Sequence, residues 1–296
     1  MERGILIIDF GSQYTQLIAR HIRELKVYSE IHPFNKVNKT LLSKIKPVGI
    51  ILSGGPNSVL DKKAPLLPKV VLNINKPILG ICYGFQVLSK ILGGKIKKSL
   101  NREYGFAQIK LNAHSEILPK EWIKNNQADV WMSHGDNVAK VPKDFVIIAS
   151  SNNKIISIIE NKKKKIFGLQ FHPEVEHTQN GKELIKKFIF SICKVKPNWI
   201  LEDFISKKTK ELKKLIGDNN VICGLSGGVD STVTAYLLHK AIGDKLYCIF
   251  VDHGLLRKNE VKEISNLYKN KFKNKLKIVN ASKIFLNNLY SITHPE

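Results

Sequence analysis

Strand-length runs of β-branched and other apolar residues recur along this chain, at 5–8, 48–52 and 78–81 and again, after residue 200, at 221–225, 247–251 and 276–279. Apolar without strict alternation, such runs belong in largely parallel sheets covered by helices. Amphipathic stretches follow the first and third runs, and helical patterns at 231–242 and 259–270 interleave the later ones. The polar, proline-bearing segment Lys194-Val195-Lys196-Pro197-Asn198 falls between the two series and reads as a junction. The expected fold is therefore α/β, with two open, mostly parallel sheets and flanking helices: one domain over 1–193, a linker over 194–200 and a second domain over 201–296. A hairpin is expected from 155–159 and 166–170, with the basic run 162–165 as its solvated turn.

The formal charge of +23 raises the question of nucleic acid. Only five of the 48 basic residues are arginines (Arg3, Arg20, Arg23, Arg102 and Arg257), and the lysines are spread over both halves. Base contacts favour arginine, and no zinc-finger or RRM signature is present. Lysine in excess alongside abundant Asn and Ile reads as a composition bias, so no specific nucleic-acid partner is expected. Cys82, Cys193, Cys223 and Cys248 form no CxxC pair, which argues against a disulfide framework or a zinc site and for a reducing, cytoplasmic setting. No stretch reaches membrane-spanning length, and the N-terminal apolar run is too short for a signal-peptide core, so no membrane association is expected.

Chemistry concentrates at a few points. Gly80-Ile81-Cys82-Tyr83-Gly84 has the layout G-x-C-x-G, the cysteine version of a nucleophile elbow in which a strand turns sharply into a helix, here predicted over 84–92. Glycines on either side remove the Cβ atoms that would strike the adjoining strand and helix, and the helix N-terminus favours negative charge on the sulfur. A base is offered by Phe171-His172-Pro173-Glu174 after the strand at 166–170. In an extended segment the side chains of His172 and Glu174 share a face, so Glu174 can orient the imidazole while its other nitrogen serves Cys82. Ser53-Gly54-Gly55-Pro56, at the end of another strand, offers the amide of Gly55 as an oxyanion donor, and the elbow offers that of Tyr83. Taken singly, each has a plain reading: a buried structural cysteine, a surface His-Pro-Glu turn, a Gly-Gly turn.

Together GICYGFQ, ILSGGP and FGLQFHPEVEHT resemble the class I glutamine amidotransferases, whose flavodoxin-like domain uses a Cys-His-Glu triad to release ammonia from glutamine. The resemblance implies that Cys82 is the nucleophile, His172 the acid and base, and Glu174 the orienter. It also implies that Gln86 and the loop Ser133-His134-Gly135-Asp136 line the glutamine pocket.

A second motif follows the strand at 221–225. Ser226-Gly227-Gly228-Val229-Asp230-Ser231-Thr232 is a glycine-rich turn that opens a helix, and such a turn points backbone N–H groups at phosphate. It lacks the G-K-[ST] ending of a Walker A loop. SGGVDS resembles the pyrophosphate loop of the ATP pyrophosphatases, with their adenine-nucleotide α-hydrolase-like sheet. That resemblance implies that Ser226, Gly227, Gly228, Val229, Asp230, Ser231 and Thr232 bind ATP, with Asp230 near the accompanying Mg2+; no dedicated metal cage is visible. The strand tip Phe250-Val251-Asp252-His253-Gly254 is where adenine is expected in a doubly wound sheet.

A class I amidotransferase followed by SGGVDS resembles the GMP synthetase family, and DFGSQYTQLIARHIRE, GIILSGGPNSV, REYGFA, WMSHGD and FVDHGLLRKNE extend the likeness along the chain. The family resemblance implies that XMP is adenylated by ATP at its O2 atom and that ammonia displaces AMP to give GMP, in a protein that dimerises when full-length. It also implies further sheet and a dimerisation domain beyond Ser291-Ile292-Thr293-His294-Pro295-Glu296, so apolar sheet surface is expected to lie bare and this chain to act on glutamine while making little GMP. A neighbouring ATP pyrophosphatase fed by the same glutaminase, and an RNA-binding protein, are the competing readings. The acceptor used with ATP separates the first, and steeply salt-dependent RNA binding the second.

Overall fold

The computed structural model describes residues 4–272 and 275–294, and within them all side chains except those of 99–102 and 203. Arg3, Arg102's side chain, Pro295 and Glu296, named above, lie outside that description. The chain divides into two compact units, Met1–Trp199 and Ile200–Glu296.

The first unit is built on nine strands: β1 (Ile5–Asp9), β2 (Ser29–Pro33), β3 (Gly49–Leu52), β4 (Ile78–Ile81), β5 (Lys95–Leu111), β6 (Gln127–Lys140), β7 (Val146–Ser151), β8 (Ile156–Asn161) and β9 (Ile166–Leu169). Their spatial order is β2-β1-β3-β4-β9-β8-β7-β5-β6. From β2 to β9 the neighbours run parallel, and from β9 to β6 antiparallel. The helices are α1 (Thr15–Glu24), α2 (Lys39–Ile45), α3 (Tyr83–Ile91), α4 (Lys120–Asn125) and α5 (Gly181–Lys187), the last continuing as a π turn over Phe188–Ile192.

Strand β1 shows why its run carries no alternation. Ile5 and Ile7 pack with Ile18 and Ile22 of α1, while Leu6 and Ile8 pack with Leu42 and Ile45 of α2. Both faces are covered, so every position is apolar. The predicted hairpin forms, with β8 and β9 antiparallel around the turn at 162–165.

The second unit holds α6 (Leu201–Ile216), β10 (Val221–Leu225), α7 (Val229–Ile242), β11 (Leu246–Asp252), α8 (Glu260–Phe272), β12 (Leu276–Asn280) and α9 (Ser282–Asn288). Its three strands pair in parallel in the order β10-β11-β12. Cys223, Leu225, Leu246, Cys248 and Phe250 form a core with Ala235 of α7 and with Ile264, Tyr268 and Phe272 of α8. Alternate residues on the other face, Ile222, Tyr247 and Val251, are exposed, so one side of this parallel sheet is bare.

Candidate active site

The bend after β4 is strained where the motif required it. Cys82 stands just before α3 with φ 48° and ψ −106°, a region that costs a non-glycine residue about 1–3 kcal/mol. The surroundings over-determine it: Cys82 N donates to Leu169 O at 2.7 Å and Gly84 N to Ser53 O at 3.0 Å. A Cβ on Gly80 would come within 2.8 Å of the Phe85 backbone, and one on Gly84 within 2.5 Å of Leu52 O and 2.6 Å of Leu52 Cβ. We therefore expect Gly84→Ala to destabilise the first unit by about 1–3 kcal/mol through overpacking, read as a lower melting temperature. An unchanged melting curve would show that β3 and α3 are not held this closely.

His172 and Glu174 follow β9 and are both buried, Glu174 completely. The imidazole Nδ1–H donates to Glu174 Oε1 at 2.7 Å, and the Cys82 side chain lies close enough to the ring to favour its charged form. Burial alone would lower the His172 pKa, but the charge of Glu174 and the contacts with Cys82 and Glu174 outweigh it and hold the ring well above its ordinary value. The segment is anchored by His172 N to Trp131 O (3.1 Å) and by Thr178 Oγ1 to His172 O (2.6 Å). Gly54 explains itself here, because a Cβ would come within 2.9 Å of His172 Cε1.

Two neighbours were not legible as site residues. His21, on α1, places Nε2 2.8 Å from the main-chain oxygen of Glu174, and Tyr14 sets its ring edge-on to His172 with centroids 5.3 Å apart. Nothing local marks either, since both contacts span more than 150 residues of chain.

A cavity of about 420 Å³ opens beside the sulfur, lined by Gly55, Tyr83, Gln86, Ser133, His134 and Asp136 among others. Gly55 sits tightly between Phe10 and the Tyr83 ring, and the Tyr83 amide lies in the first turn of α3, where N–H groups have no intrahelical acceptor. Gln86 Nε2 donates to Asp136 O at 2.7 Å, Ser58 Oγ to Asp136 Oδ2 at 2.5 Å, and Cys82 Sγ to Ser133 O at 3.3 Å. His134 belongs to the wall, but its imidazole is buried and faces Glu103. Lys98, Tyr104 and Ser58 also line the cavity and were not picked out as site residues: Lys98 sits in a lysine-rich strand, and Tyr104 and Ser58 fall in REYGFA and GIILSGGPNSV, stretches whose likeness was read without assigning either a role.

In the second unit, Ser226-Gly227-Gly228 joins β10 to α7. Gly227 has φ 80°, and a Cβ there would lie 2.5 Å from Ile264 Cδ1, so both conformation and space exclude a side chain. The loop is knitted by Ser226 N to Ser231 Oγ (3.2 Å), Gly228 N to Ser226 Oγ (3.3 Å) and Thr232 Oγ1 to Gly228 O (2.7 Å), and Thr232 also meets the Tyr268 hydroxyl. Asp230 lies exposed in the first turn of α7. At the tip of β11, Asp252 Oδ1 accepts from Gly254 N at 3.0 Å.

Residues 6–192 match the family described as glutamine amidotransferase class-I, and residues 200–293 match NAD synthase. The chain is 50% identical over 292 residues to glutamine-hydrolyzing GMP synthase of Brachyspira hyodysenteriae, covering 99% of this chain and 56% of that protein. It is 48% identical over 295 residues to the glutamine-hydrolyzing GMP synthase of Clostridium tetani, again covering 99% and 56%. The chain thus spans a little over half the length of the curated relatives it matches. A solved structure from Thermoplasma acidophilum, described as that of a GMP synthase subunit, superposes with a TM-score of 0.55 at 30% identity, covering 70% of this chain and 98% of that one.

Proposed function

Because the chain belongs to the class-I glutamine amidotransferase family, we propose that its first unit hydrolyses the side-chain amide of glutamine and that the freed ammonia serves GMP synthesis. One observation carries the first half of that reading: a single imidazole held 2.7 Å from a buried carboxylate, with the Cys82 side chain close enough to favour its charged form, at the edge of a cavity of small-molecule size. The sulfur of Cys82, its proton held by His172, adds to the amide carbon, and the oxyanion is met by the amides of Gly55 and Tyr83. The His172 imidazolium passes its proton to the leaving nitrogen, so ammonia departs and a thioester remains. His172 then takes a proton from water, whose hydroxide displaces the sulfur to give glutamate. Glu174 keeps the ring in the orientation both steps need. Gln86, Ser133 and His134 belong to the pocket that receives glutamine.

The second half rests on the loop Ser226, Gly227, Gly228, Val229, Asp230, Ser231 and Thr232, which we assign to the phosphates of ATP. Backbone N–H groups at the start of α7 suit that anion. The exposed Asp230 carboxylate suits an Mg2+ that arrives with the nucleotide, where the ion would neutralise phosphate charge. Adenylated XMP would accept the ammonia, yielding GMP and AMP. The setting we propose is cytoplasmic, in keeping with four free cysteines; no helix among the described residues is long and apolar enough to cross a membrane. A homodimer is proposed for the form that has the full length of the relatives.

The 296-residue chain, incubated with glutamine, is expected to release glutamate and ammonia in equal amounts. Given XMP, ATP and Mg2+ as well, it should form little or no GMP, because the second unit's sheet is uncovered on one face and the relatives devote nearly half their length to sequence outside the match. Quantifying glutamate and GMP in one reaction checks both. Absence of glutamate would remove the amidase reading, and GMP at the glutamate rate would show that these 296 residues suffice for synthesis.

A further inference from the structure

The ladder between β5 and β6 holds a buried polar cluster that joins His134 of the pocket wall to Glu103, a residue with no role above. Glu103 is 8% exposed; its Oε1 accepts from Ser151 Oγ at 3.0 Å and from Asn153 Nδ2 at 2.8 Å. Its Oε2 lies 3.3 Å from Nε2 of His134, which is 4% exposed. Among the described residues, neither ring nitrogen of His134 nor Oε2 of Glu103 has a well-directed hydrogen bond, so this is the approach of an ion pair whose alignment is incomplete. Burial pushes the Glu103 carboxyl up, yet the close approach of His134 and the bonds from Asn153 and Ser151 prevail and hold it below the usual range. A half-satisfied buried pair weakens a fold rather than strengthening it, which points to a local task.

The location supplies one. Glu103 and His134 are directly opposed, and theirs is the pair at which the β5–β6 register resumes after a break between Lys98 and Glu103. Immediately beside His134, Ser133 O receives the Cys82 thiol, and Asp136 O receives the Gln86 amide. Tyr104 pairs with Ser133 and Lys98 with Asp136 on either side of the break, so the Glu103–His134 side-chain pair stands at the interruption between these two carbonyls. Hydrogen bonds at such sites are commonly long before substrate arrives and tighten on binding.

We infer that Glu103 and His134 are positioning residues for glutamine, a cross-strand latch that sets the pocket wall 133–136 against Cys82 and Gln86 without touching the reacting atoms. This rests on the amide-hydrolysing reading of the site. Glutamine hydrolysis and the rate of Cys82 alkylation by iodoacetamide are to be measured for wild type, Glu103→Gln, Glu103→Asp, His134→Gln and the double variant Glu103→Gln/His134→Gln. A misplaced wall should raise KM for glutamine about tenfold in Glu103→Gln while kcat stays within about twofold. Alkylation needs only the sulfur and its imidazole, so it should stay at the wild-type rate. Glu103→Asp should recover part of the affinity, and the double variant should be no worse than His134→Gln, the mark of residues acting as a unit. If Glu103→Gln does not fold, the same comparison is read from Glu103→Asp, whose retracted carboxylate should raise KM about threefold. An unchanged KM, parallel loss of kcat and alkylation, or additive effects in the double variant would each overturn the latch. Wild-type protein that is alkylated at Cys82 yet releases no ammonia from glutamine would overturn instead the reading beneath it, and the latch with it.

Discussion

Cys82→Ala is expected to lose glutamine hydrolysis by at least about 10⁴-fold, the order seen when the nucleophile of a covalent mechanism is removed. The loss is chemical, because the substitution leaves the scaffold nearly untouched. Alanine occupies the same bend at φ 48°, keeps the Cβ, and surrenders only weak sulfur interactions, with Ser133 O at 3.3 Å, with Gln170 Nε2 at 3.9 Å and with the His172 ring, so stability should change by no more than about 1 kcal/mol. No other thiol can replace it. Burial pushes Cys193 up to about 12 despite the nearby Lys165, and Cys248 up to about 11, while Cys223 is raised for the same reason; a neutral thiol is a poor nucleophile. In a form with the full length of the relatives, added ammonia should sustain GMP synthesis by the variant, since the ATP loop lies in the second unit and contains no sulfur. Ammonia release is read by a coupled assay, with thermal unfolding as the control. Hydrolysis persisting at a few per cent of wild type in a folded Cys82→Ala protein would sink the thioester route.

What could be read from the chain divides along physical lines. Strands β1, β3 and β4 were legible because two covered faces leave no polar positions, and the elbow because Gly80 and Gly84 stand where backbone from α3 and β3 leaves no room. Strand β6 was not, although Ala128, Val130 and Met132 alternate inward. The same inward row continues with His134 and Asp136, whose polarity hides the period. Its partner β5 is harder still, since Lys95, Lys97 and Lys98 give it the look of a loop. The site followed the same division. Cys82, His172 and Glu174 announce themselves in short motifs, whereas Lys98, Tyr104 and Ser58 enter the cavity only because the hairpin and the loop after β3 fold over α3. The contact of His21 with the Glu174 carbonyl has no sequence signature at all, because a helix histidine near a glutamate most simply reads as a surface pair.

Glu174→Gln should lower kcat for glutamine hydrolysis by about 10²-fold and move the alkaline limb of the pH profile to lower pH. The amide is nearly isosteric, and its oxygen can still accept from His172 Nδ1, a bond of 2.7 Å in the native pair, so the ring's orientation is largely kept and the charge alone is lost. That charge is the largest of the influences opposing burial at His172. Without it, desolvation prevails, and the imidazolium that must hand a proton to the leaving ammonia is depleted at a lower pH. Stability follows with a definite sign. A folded-state pKa above the unfolded value of about 6.5 stabilises the native protein fully below that value, and the contribution fades as pH rises through the folded pKa. Wild type should therefore exceed Glu174→Gln in stability by most at mildly acidic pH, with the gap narrowing on the alkaline side. Part of the gap will not titrate, because Glu174 Oε2 has no hydrogen-bond partner among the described residues, and an NH₂ group placed there is a buried donor left unsatisfied, at about 1–3 kcal/mol. Paired pH profiles of kcat and of unfolding free energy decide the matter. An alkaline limb that stays in place after the substitution would mean that Glu174 only orients the ring and does not hold its proton.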